Sequence, residues 1–149
     1  TAEIINKSIE ENFNDLEDIR IIAEPGRLLC SNSHTLVINV IGKKENIVNG
    51  EKHFTYTINN SIYSAFNCIM FDHAKPIIKP FNERDGKVYD CTVYGPTCDS
   101  MDTISNNAKL PDLAIGESVY IENFGAYTTA AASTFNGFQR TPCEYIMKC

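Results

Sequence analysis

The chain has 149 residues, 43% of them hydrophobic and 21% charged, which is an ordinary composition for one globular domain. Its net charge of −6, its scattered lysines and arginines and its lack of a long apolar run argue against nucleic-acid and membrane binding. The six cysteines and three histidines show no zinc-ligand spacing, and residues 1–7 lack the basic-then-apolar layout of a signal peptide, so we expect reduced thiols, no metal site and a cytoplasmic location.

The first 36 residues follow a helix, strand and helix pattern. Apolar residues at positions 4, 5, 9 and 13 predict an amphipathic helix from Ala2 to about Phe13. The β-branched run Ile19–Ala23 predicts a buried strand, and a further helix is plausible over Leu28–Leu36. One such repeat cannot close a sheet by itself, so we interpret residues 1–36 as the remnant of the C-terminal end of an α/β (TIM-like) barrel.

From Val37 onward the pattern is typical of β structure, and residues 37–149 are predicted to form a C-terminal β domain. Many short strands separated by turn signals indicate an antiparallel barrel or sandwich, so the fold class is mainly β with flanking α. Loops are predicted over Lys43–Asn49 and Lys79–Lys87. The predicted strands are Val37–Gly42, His53–Ile58, Asn67–Phe71, Val88–Tyr94, Ser118–Glu122 and Tyr145–Met147.

The hexapeptide Tyr94–Asp99 is the most informative segment of the chain. It follows a predicted strand, and Thr97 or Asp99 is suited to cap a short following helix. A helix N-terminus favours the thiolate of Cys98, whereas the neighbouring carboxylate opposes it. This pair therefore suits a cysteine that gives and takes a proton.

A second candidate site is the run Glu24-Pro25-Gly26-Arg27, which follows a predicted buried strand. Barrel enzymes place functional groups at that position, and an arginine beside a glycine can bind a phosphate through two hydrogen bonds. Glu24 is suited to hold a proton on a ring nitrogen. The alternative is an ordinary Pro-Gly turn with a solvated glutamate and arginine.

Two acids and a tyrosine complete the candidates. Asp72 ends the run predicted as a strand, and Asp72 and Asp99 together suit a cationic substrate, since a sequestered ammonium group needs a carboxylate partner. Tyr127 is suited to donate its hydroxyl to a phosphate, although a core tyrosine is the commoner case.

Six stretches of the chain, which occur in the same order as in the family, resemble the ornithine decarboxylase family. That family belongs to the pyridoxal-phosphate-dependent decarboxylases of alanine-racemase-like fold. The resemblance runs from about Arg20 to Tyr145. The stretches are Glu24-Pro25-Gly26-Arg27, Tyr63-Ser64-Ala65-Phe66-Asn67, Asp72-His73-Ala74, Gly95-Pro96-Thr97-Cys98-Asp99, Gly125-Ala126-Tyr127 and Ala131-Ala132-Ser133-Thr134-Phe135-Asn136-Gly137-Phe138.

The resemblance implies a cofactor site for pyridoxal 5'-phosphate. Glu24 would pair with the pyridine nitrogen, and the Pro25-Gly26-Arg27 turn would hold the phosphate with a further hydrogen bond from Tyr127. The family's Schiff-base lysine, stacking histidine and glycine-rich phosphate loop lie upstream of these motifs. We therefore expect the isolated fragment to be inactive and to lack the cofactor.

The resemblance also implies a substrate site for L-ornithine, which the family converts to putrescine and carbon dioxide. Asp72 and Asp99 would bind the distal ammonium, and Phe71, where the family has tyrosine, would line that pocket. Cys98 would be the catalytic residue that directs protonation of Cα. In this family the Cys-Asp segment is contributed across a homodimer interface to the neighbouring subunit's cofactor.

Two alternatives stay open. One is a related decarboxylase that acts on diaminopimelate, arginine or lysine, although a pair of acids favours a short cationic side chain over a zwitterion. The other is a catalytically inactive homologue that regulates polyamine synthesis by binding a protein partner; a protein regulator is also expected among the partners of the parent enzyme. Glu24, Arg27, Cys98, Asp99 and Tyr127 are all retained in this chain, which argues against the second alternative.

Overall fold

A computed structural model describes residues 1–147, and its main feature is a six-stranded sheet in the order β3-β6-β1-β2-β4-β5. The ends of this sheet curl toward each other, because residues of β3 and β5 come within 8 Å between Cα atoms. None of the helices in this part of the chain is long and apolar enough to cross a membrane. The elements are α1 Ala2–Phe13, α2 Gly26–Cys30, β1 Leu36–Val48, β2 Glu51–Ile58, α3 Asn67–Phe71, β3 Lys79–Pro80, β4 Val88–Tyr94, β5 Thr103–Pro111 and β6 Ser118–Ile121, with 3-10 turns at Ser31–Ser33 and Phe135–Gly137.

The hydrophobic core lies on one face of this sheet. Alternate residues of β1 and β2 are buried, as the two-residue period of a strand requires, and Phe54 and Tyr56 are the largest of them. The Tyr56 hydroxyl donates to the Pro111 carbonyl at 3.2 Å and accepts from the Leu113 amide at 3.0 Å. Burial raises the pKa of Tyr56 to about 12. The mainly β fold class is therefore confirmed.

The predicted loop over Lys43–Asn49 is wrong, because β1 continues to Val48. Its second half pairs with β2 up to Val48 opposite Glu51, and Asn49 and Gly50 form the connecting turn with φ of 52° and 82°. Asn and Gly tolerate these left-handed angles. The expectation of a purely antiparallel sheet is also wrong, because β2 and β4 run parallel.

The strand predicted over Asn67–Phe71 is the short helix α3 instead. The buried Asn67 amide donates to the carbonyls of Ser64 at 2.6 Å and Thr128 at 2.5 Å. These two hydrogen bonds stabilise a helical turn, and an extended strand at this position would break them. The chain therefore reaches Asp72 from the end of a helix and not from the end of a strand.

The N-terminal segment departs further from the predictions. Helix α1 is confirmed, but Ile19–Ala23 forms no strand, and Ile22 is 68% exposed. A strand needs a hydrogen-bonded neighbour, and within residues 1–147 none lies beside this run. The helix over Leu28–Leu36 is replaced by α2 and a 3-10 turn, after which β1 begins. The barrel-remnant interpretation of residues 1–36 stays a prediction.

The C-terminal half contains three more differences. No helix follows Thr97 or Asp99, and the chain enters the unpredicted strand β5 at Thr103 instead. The predicted loop Lys79–Lys87 begins with the two residues of β3. Tyr145–Met147 has no regular structure, and the last two residues of the predicted domain lie outside the described residues.

Candidate active site

The first cluster of candidate residues forms around Arg27 in α2. Its Nη2 atom donates to Oδ2 of Asp72 at 2.5 Å, and its guanidinium lies 5.1 Å from the centre of the Tyr127 ring. The hydrogen bond to Asp72 raises the pKa of Arg27. Asp72 and Tyr127, both distant from Arg27 in the sequence, therefore lie against its guanidinium group.

Local backbone geometry directs these side chains. Asp72 follows α3, and the amides of Asp72 and Ala74 both donate to the Cys68 carbonyl, at 3.0 and 3.1 Å. His73 lies between them with φ of 53°, a left-handed angle that ends the helix. Tyr127 also has a positive φ, of 57°. Such angles are uncommon for residues other than glycine and are enriched at functional sites.

A cleft of about 360 Å³ opens beside Arg27 and Asp72. Apolar side chains, among them Ile77, Ile121 and Phe124, form part of its wall. The side chain of Arg27 is 52% exposed, so its guanidinium remains accessible to an anion.

The donor set of this cluster fits the phosphate of pyridoxal 5'-phosphate. Arg27 supplies a fork of charged donors and Tyr127 a hydroxyl, as phosphate oxygens require. A Cβ added at Gly26 would meet no atom within 4 Å, so a ligand can approach the backbone here. The Gly26 amide donates to the Glu24 carbonyl at 2.8 Å, which closes a turn around Pro25 and keeps all four motif residues at one corner.

The second cluster forms around Cys98 and Asp99. The Tyr63 hydroxyl donates to Oδ2 of Asp99, and the Met101 amide donates to Oδ1 at 2.9 Å. The Tyr63 hydrogen bond, followed by the Met101 one, lowers the pKa of Asp99. The Asn136 amide donates to Sγ of Cys98 at 3.5 Å. Asp99 is therefore an ionised, oriented carboxylate beside a thiol.

A buried carboxylate, and not a helix, positions the loop that carries this pair. Asp102 is 1% exposed and accepts from the Thr97 amide at 3.1 Å, the Ser61 hydroxyl at 3.0 Å and the Ile62 amide at 3.0 Å. A Cβ at Gly95 would lie 2.2 Å from Oδ1 of Asp102, so only glycine permits this approach. Asp102 thereby joins the loop to the turn that precedes Tyr63.

The predicted site residues thus fall into two groups. Within residues 1–147, no hydrogen bond or ion pair joins Cys98 or Asp99 to Arg27, Asp72 or Tyr127. The two acids predicted to act together therefore lie in different clusters. Two other predicted site residues are exposed, Glu24 near Arg27 and Phe71 one residue before Asp72. The roles assigned to the site residues stay predictions.

Sequence reasoning gave no catalytic or binding role to four residues of the second cluster. Three of them, Tyr63, Phe135 and Asn136, lie in stretches that resemble the family, and this resemblance was the signal that could have identified them. The rings of Tyr63 and Phe135 lie 4.2 Å apart. Asp102 had no signal at all, since a buried structural aspartate cannot be distinguished by sequence from the exposed acids around it.

Comparison with known proteins agrees with this fold. Residues 27–125 match the family model described as "Pyridoxal-dependent decarboxylase, C-terminal sheet domain". The chain is 40% identical over 153 residues to ornithine decarboxylase of Cricetulus griseus, covering 97% of this chain and 34% of that protein. It is 41% identical over 156 residues to antizyme inhibitor 2 of Xenopus laevis, covering 98% of this chain and 34% of that protein. The chain thus spans about a third of the length of these relatives.

Solved structures show the same sheet domain of the alanine-racemase-like fold. Arginine decarboxylase of Paramecium bursaria Chlorella virus, bound to agmatine, aligns with a TM-score of 0.79 and 35% identity over 92% of this chain and 37% of that one. Lysine/ornithine decarboxylase of Vibrio vulnificus, complexed with cadaverine, aligns with a TM-score of 0.77 and 35% identity over 91% of this chain and 35% of that one. This chain therefore belongs to the pyridoxal-dependent decarboxylase family and carries its C-terminal sheet domain.

Proposed function

We propose that this chain is the C-terminal part of a cytoplasmic ornithine decarboxylase, which converts L-ornithine to putrescine and carbon dioxide in polyamine biosynthesis. One observation carries the proposal, namely the carboxylate of Asp99 held beside the thiol of Cys98 by the Tyr63 hydroxyl. The Asp99 carboxylate is ionised at neutral pH, as binding of an ammonium group requires, and its lowered pKa extends the ionised range further into acid. A thiol next to that carboxylate is placed to deliver a proton to the same substrate.

Pyridoxal 5'-phosphate would be held by the first cluster. When bound, its protonated ring accepts the electron pair that the departing carbon dioxide leaves at Cα. Arg27 and Tyr127 would bind the phosphate, and Glu24 would keep the ring nitrogen protonated. In the proposed reaction Cys98 donates a proton to Cα, which prevents protonation at the wrong carbon by geometry alone.

Asp72 would act at the boundary between cofactor and substrate. It already forms an ion pair with Arg27 at 2.5 Å. In the proposed site Asp72 orients the guanidinium toward the phosphate and shares its second oxygen with the distal ammonium of ornithine. Phe71, 72% exposed, would supply an apolar wall for the methylene groups of the substrate.

The proposed enzyme is a homodimer that shares its active sites. Asp72 and Asp99 would meet on one substrate if a second copy supplied the Cys98–Asp99 loop to the first copy's Arg27 cluster. The separation of the two clusters within residues 1–147 and the exposure of Cys98 both support this arrangement.

A substrate profile on the full-length protein tests the proposal. We expect release of carbon dioxide from ornithine to exceed release from arginine, lysine and diaminopimelate. Replacing Asp99→Asn should lower kcat/KM for ornithine about a hundredfold, because the ammonium loses its charged partner. The control Asp85→Asn alters an exposed acid of the loop after β3 and should leave kcat/KM unchanged. An equal loss in both variants, or a preference for another amino acid, would refute the proposal.

A second candidate function is that of an inactive regulator of polyamine synthesis that binds a protein partner. The 41% identity to antizyme inhibitor 2 supports it. Two measurements on the full-length protein distinguish the candidates. A regulator would show no pyridoxal-phosphate absorbance and release no carbon dioxide from ornithine, whereas the enzyme would show both signals.

A further inference from the structure

The second cluster contains a contact that sets Cys98 apart from the other thiols. We propose that Asn136 is a positioning residue for Cys98, because its amide donates a hydrogen bond to Sγ, leaves the S–H hydrogen uncommitted and stabilises the thiolate left after proton delivery. This inference rests on the proposed function and assigns a role to a residue outside the motif that contains the thiol.

Three other thiols, those of Cys30, Cys68 and Cys91, show the opposite hydrogen-bond direction. The S–H groups of Cys30 and Cys91 donate to the carbonyls of Gly26 and Tyr89, at 3.3 and 3.2 Å. Each of these hydrogens is thus held by a backbone oxygen. Cys98 instead accepts from an amide at 3.5 Å, and within residues 1–147 its S–H donates to no protein oxygen. Its hydrogen is available to a substrate.

The position of Asn136 is determined by the structure around it. Asn136 has φ of 55° and ψ of 21° in the 3-10 turn Phe135–Gly137, and asparagine is one of the few residues that tolerate this conformation. The Gly137 amide closes the turn by donating to the Thr134 carbonyl at 2.9 Å. The left-handed conformation places the amide side chain at the apex of the turn, where it reaches the sulfur.

Contacts through Tyr63 hold the Asn136 amide and the Cys98 thiol in a fixed relative position. The Ser133 amide donates to the Tyr63 carbonyl at 2.8 Å, and the Phe135 ring lies 4.2 Å from the Tyr63 ring. The same tyrosine donates its hydroxyl to Asp99, the neighbour of Cys98. The turn that carries Asn136 and the loop that carries the thiol therefore share one support.

This arrangement suits a proton that leaves the sulfur. In the proposed reaction the electron pair left by the broken carbon–carbon bond ends in a new C–H bond at Cα, formed with the S–H proton, while the S–H bonding pair stays on Cys98 as a thiolate. The adjacent Asp99 carboxylate opposes that charge. An amide N–H that points at the sulfur offsets the repulsion, and water then returns the proton.

Thiol reactivity in the full-length protein tests the contact separately from catalysis. The measurement is the rate at which iodoacetamide alkylates Cys98 at neutral pH, followed by mass spectrometry of its peptide. Asn136→Asp keeps the shape of the side chain but replaces the donor with an ionised carboxylate, and Asn136→Gly removes the donor without adding a charge while tolerating a φ of 55°. A hydrogen bond to a charged group contributes enough free energy that its loss should slow alkylation about tenfold in both variants.

The direction in which Asn136→Gly changes the alkylation rate shows whether Asn136 acts as a hydrogen-bond donor or only shields the sulfur from the reagent. If Asn136 only covered the sulfur, Asn136→Gly would expose it and alkylation would be faster. An unchanged or faster rate in that variant overturns the proposal. Asn49, in the β1–β2 turn with φ of 52°, provides the matched controls Asn49→Asp and Asn49→Gly, which should leave the rate unchanged.

A second readout concerns the fate of the substrate. Both Asn136 variants should increase the share of turnovers that end in abortive transamination instead of diamine, with substrate KM unchanged. Cys98→Ala provides the upper limit for that share. A wild-type protein that decarboxylates nothing would overturn the proposed function, yet the alkylation rates would still decide whether Asn136 acts on the thiol.

Discussion

Removing the buried carboxylate of Asp102 should destabilise the protein and release the loop that carries Cys98. Asp102→Ala leaves the amides of Ile62 and Thr97 without their acceptor in a site that is 1% exposed. Each unsatisfied buried donor costs about 1–3 kcal/mol, so we expect the free energy of unfolding to fall by about 2–6 kcal/mol. Asp102→Asn should cost about half as much, since its amide oxygen can serve only one of the two amides.

Urea unfolding followed by circular dichroism measures this loss, provided that the denaturant slope is unchanged. The control is Asp90→Ala, whose carboxylate is 62% exposed and paired with Lys109, and its urea midpoint should equal that of the parent. Equal midpoints for Asp102→Ala and Asp90→Ala would refute the reasoning.

Gly95 gives a sharper test of the same contact. A Cβ at this position would lie 2.2 Å from the Asp102 carboxylate, so Gly95→Ala should destabilise the protein when Asp102 is present. In the Asp102→Ala background the obstacle is gone, and the same substitution should cost far less. If the losses in free energy of unfolding were additive in the double variant, the close contact between residue 95 and the Asp102 carboxylate would be refuted.

Three further predictions concern the two clusters and the acid sensitivity of the fold. Arg27→Ala should lose pyridoxal 5'-phosphate, and a full-length variant that keeps its cofactor absorbance through dialysis would contradict the assignment. Tyr63→Phe removes the main cause of the lowered pKa of Asp99, so the acidic limb of kcat/KM should move to higher pH; an unmoved limb would exclude this role. The pKa of Glu117 is lowered from 4.5, chiefly by the Ala114 amide, so its contribution to stability is present above pH 4.5 and lost as the pH falls through the lowered value. Urea midpoints of Glu117→Gln should therefore lie below those of the parent at neutral pH and converge with them in acid, and a constant difference would argue against this linkage.

Local patterns predicted the elements whose apolar residues recur at a regular spacing. The apolar spacing of Ala2–Phe13 identified α1, and the alternation in Val88–Tyr94 identified β4. The half of β1 after Gly42 was missed because both of its faces carry polar residues, so its pairing partner and not its own side chains makes it a strand. Strand propensity was likewise misleading in Asn67–Phe71, where the buried Asn67 amide holds a helical turn.

The amino-acid sequence alone determined the family, the mainly β class and the motifs that hold Arg27, Cys98 and Asp99, because these depend on residue identities in a fixed order. Only the tertiary structure showed that Arg27 pairs with Asp72 while Asp99 pairs with Tyr63. It also showed that a buried Asp102, and not a helix cap, positions the thiol. The physical reason is that hydrogen bonds between residues about 40 positions apart leave no local pattern in the sequence, since the fold alone brings their atoms together.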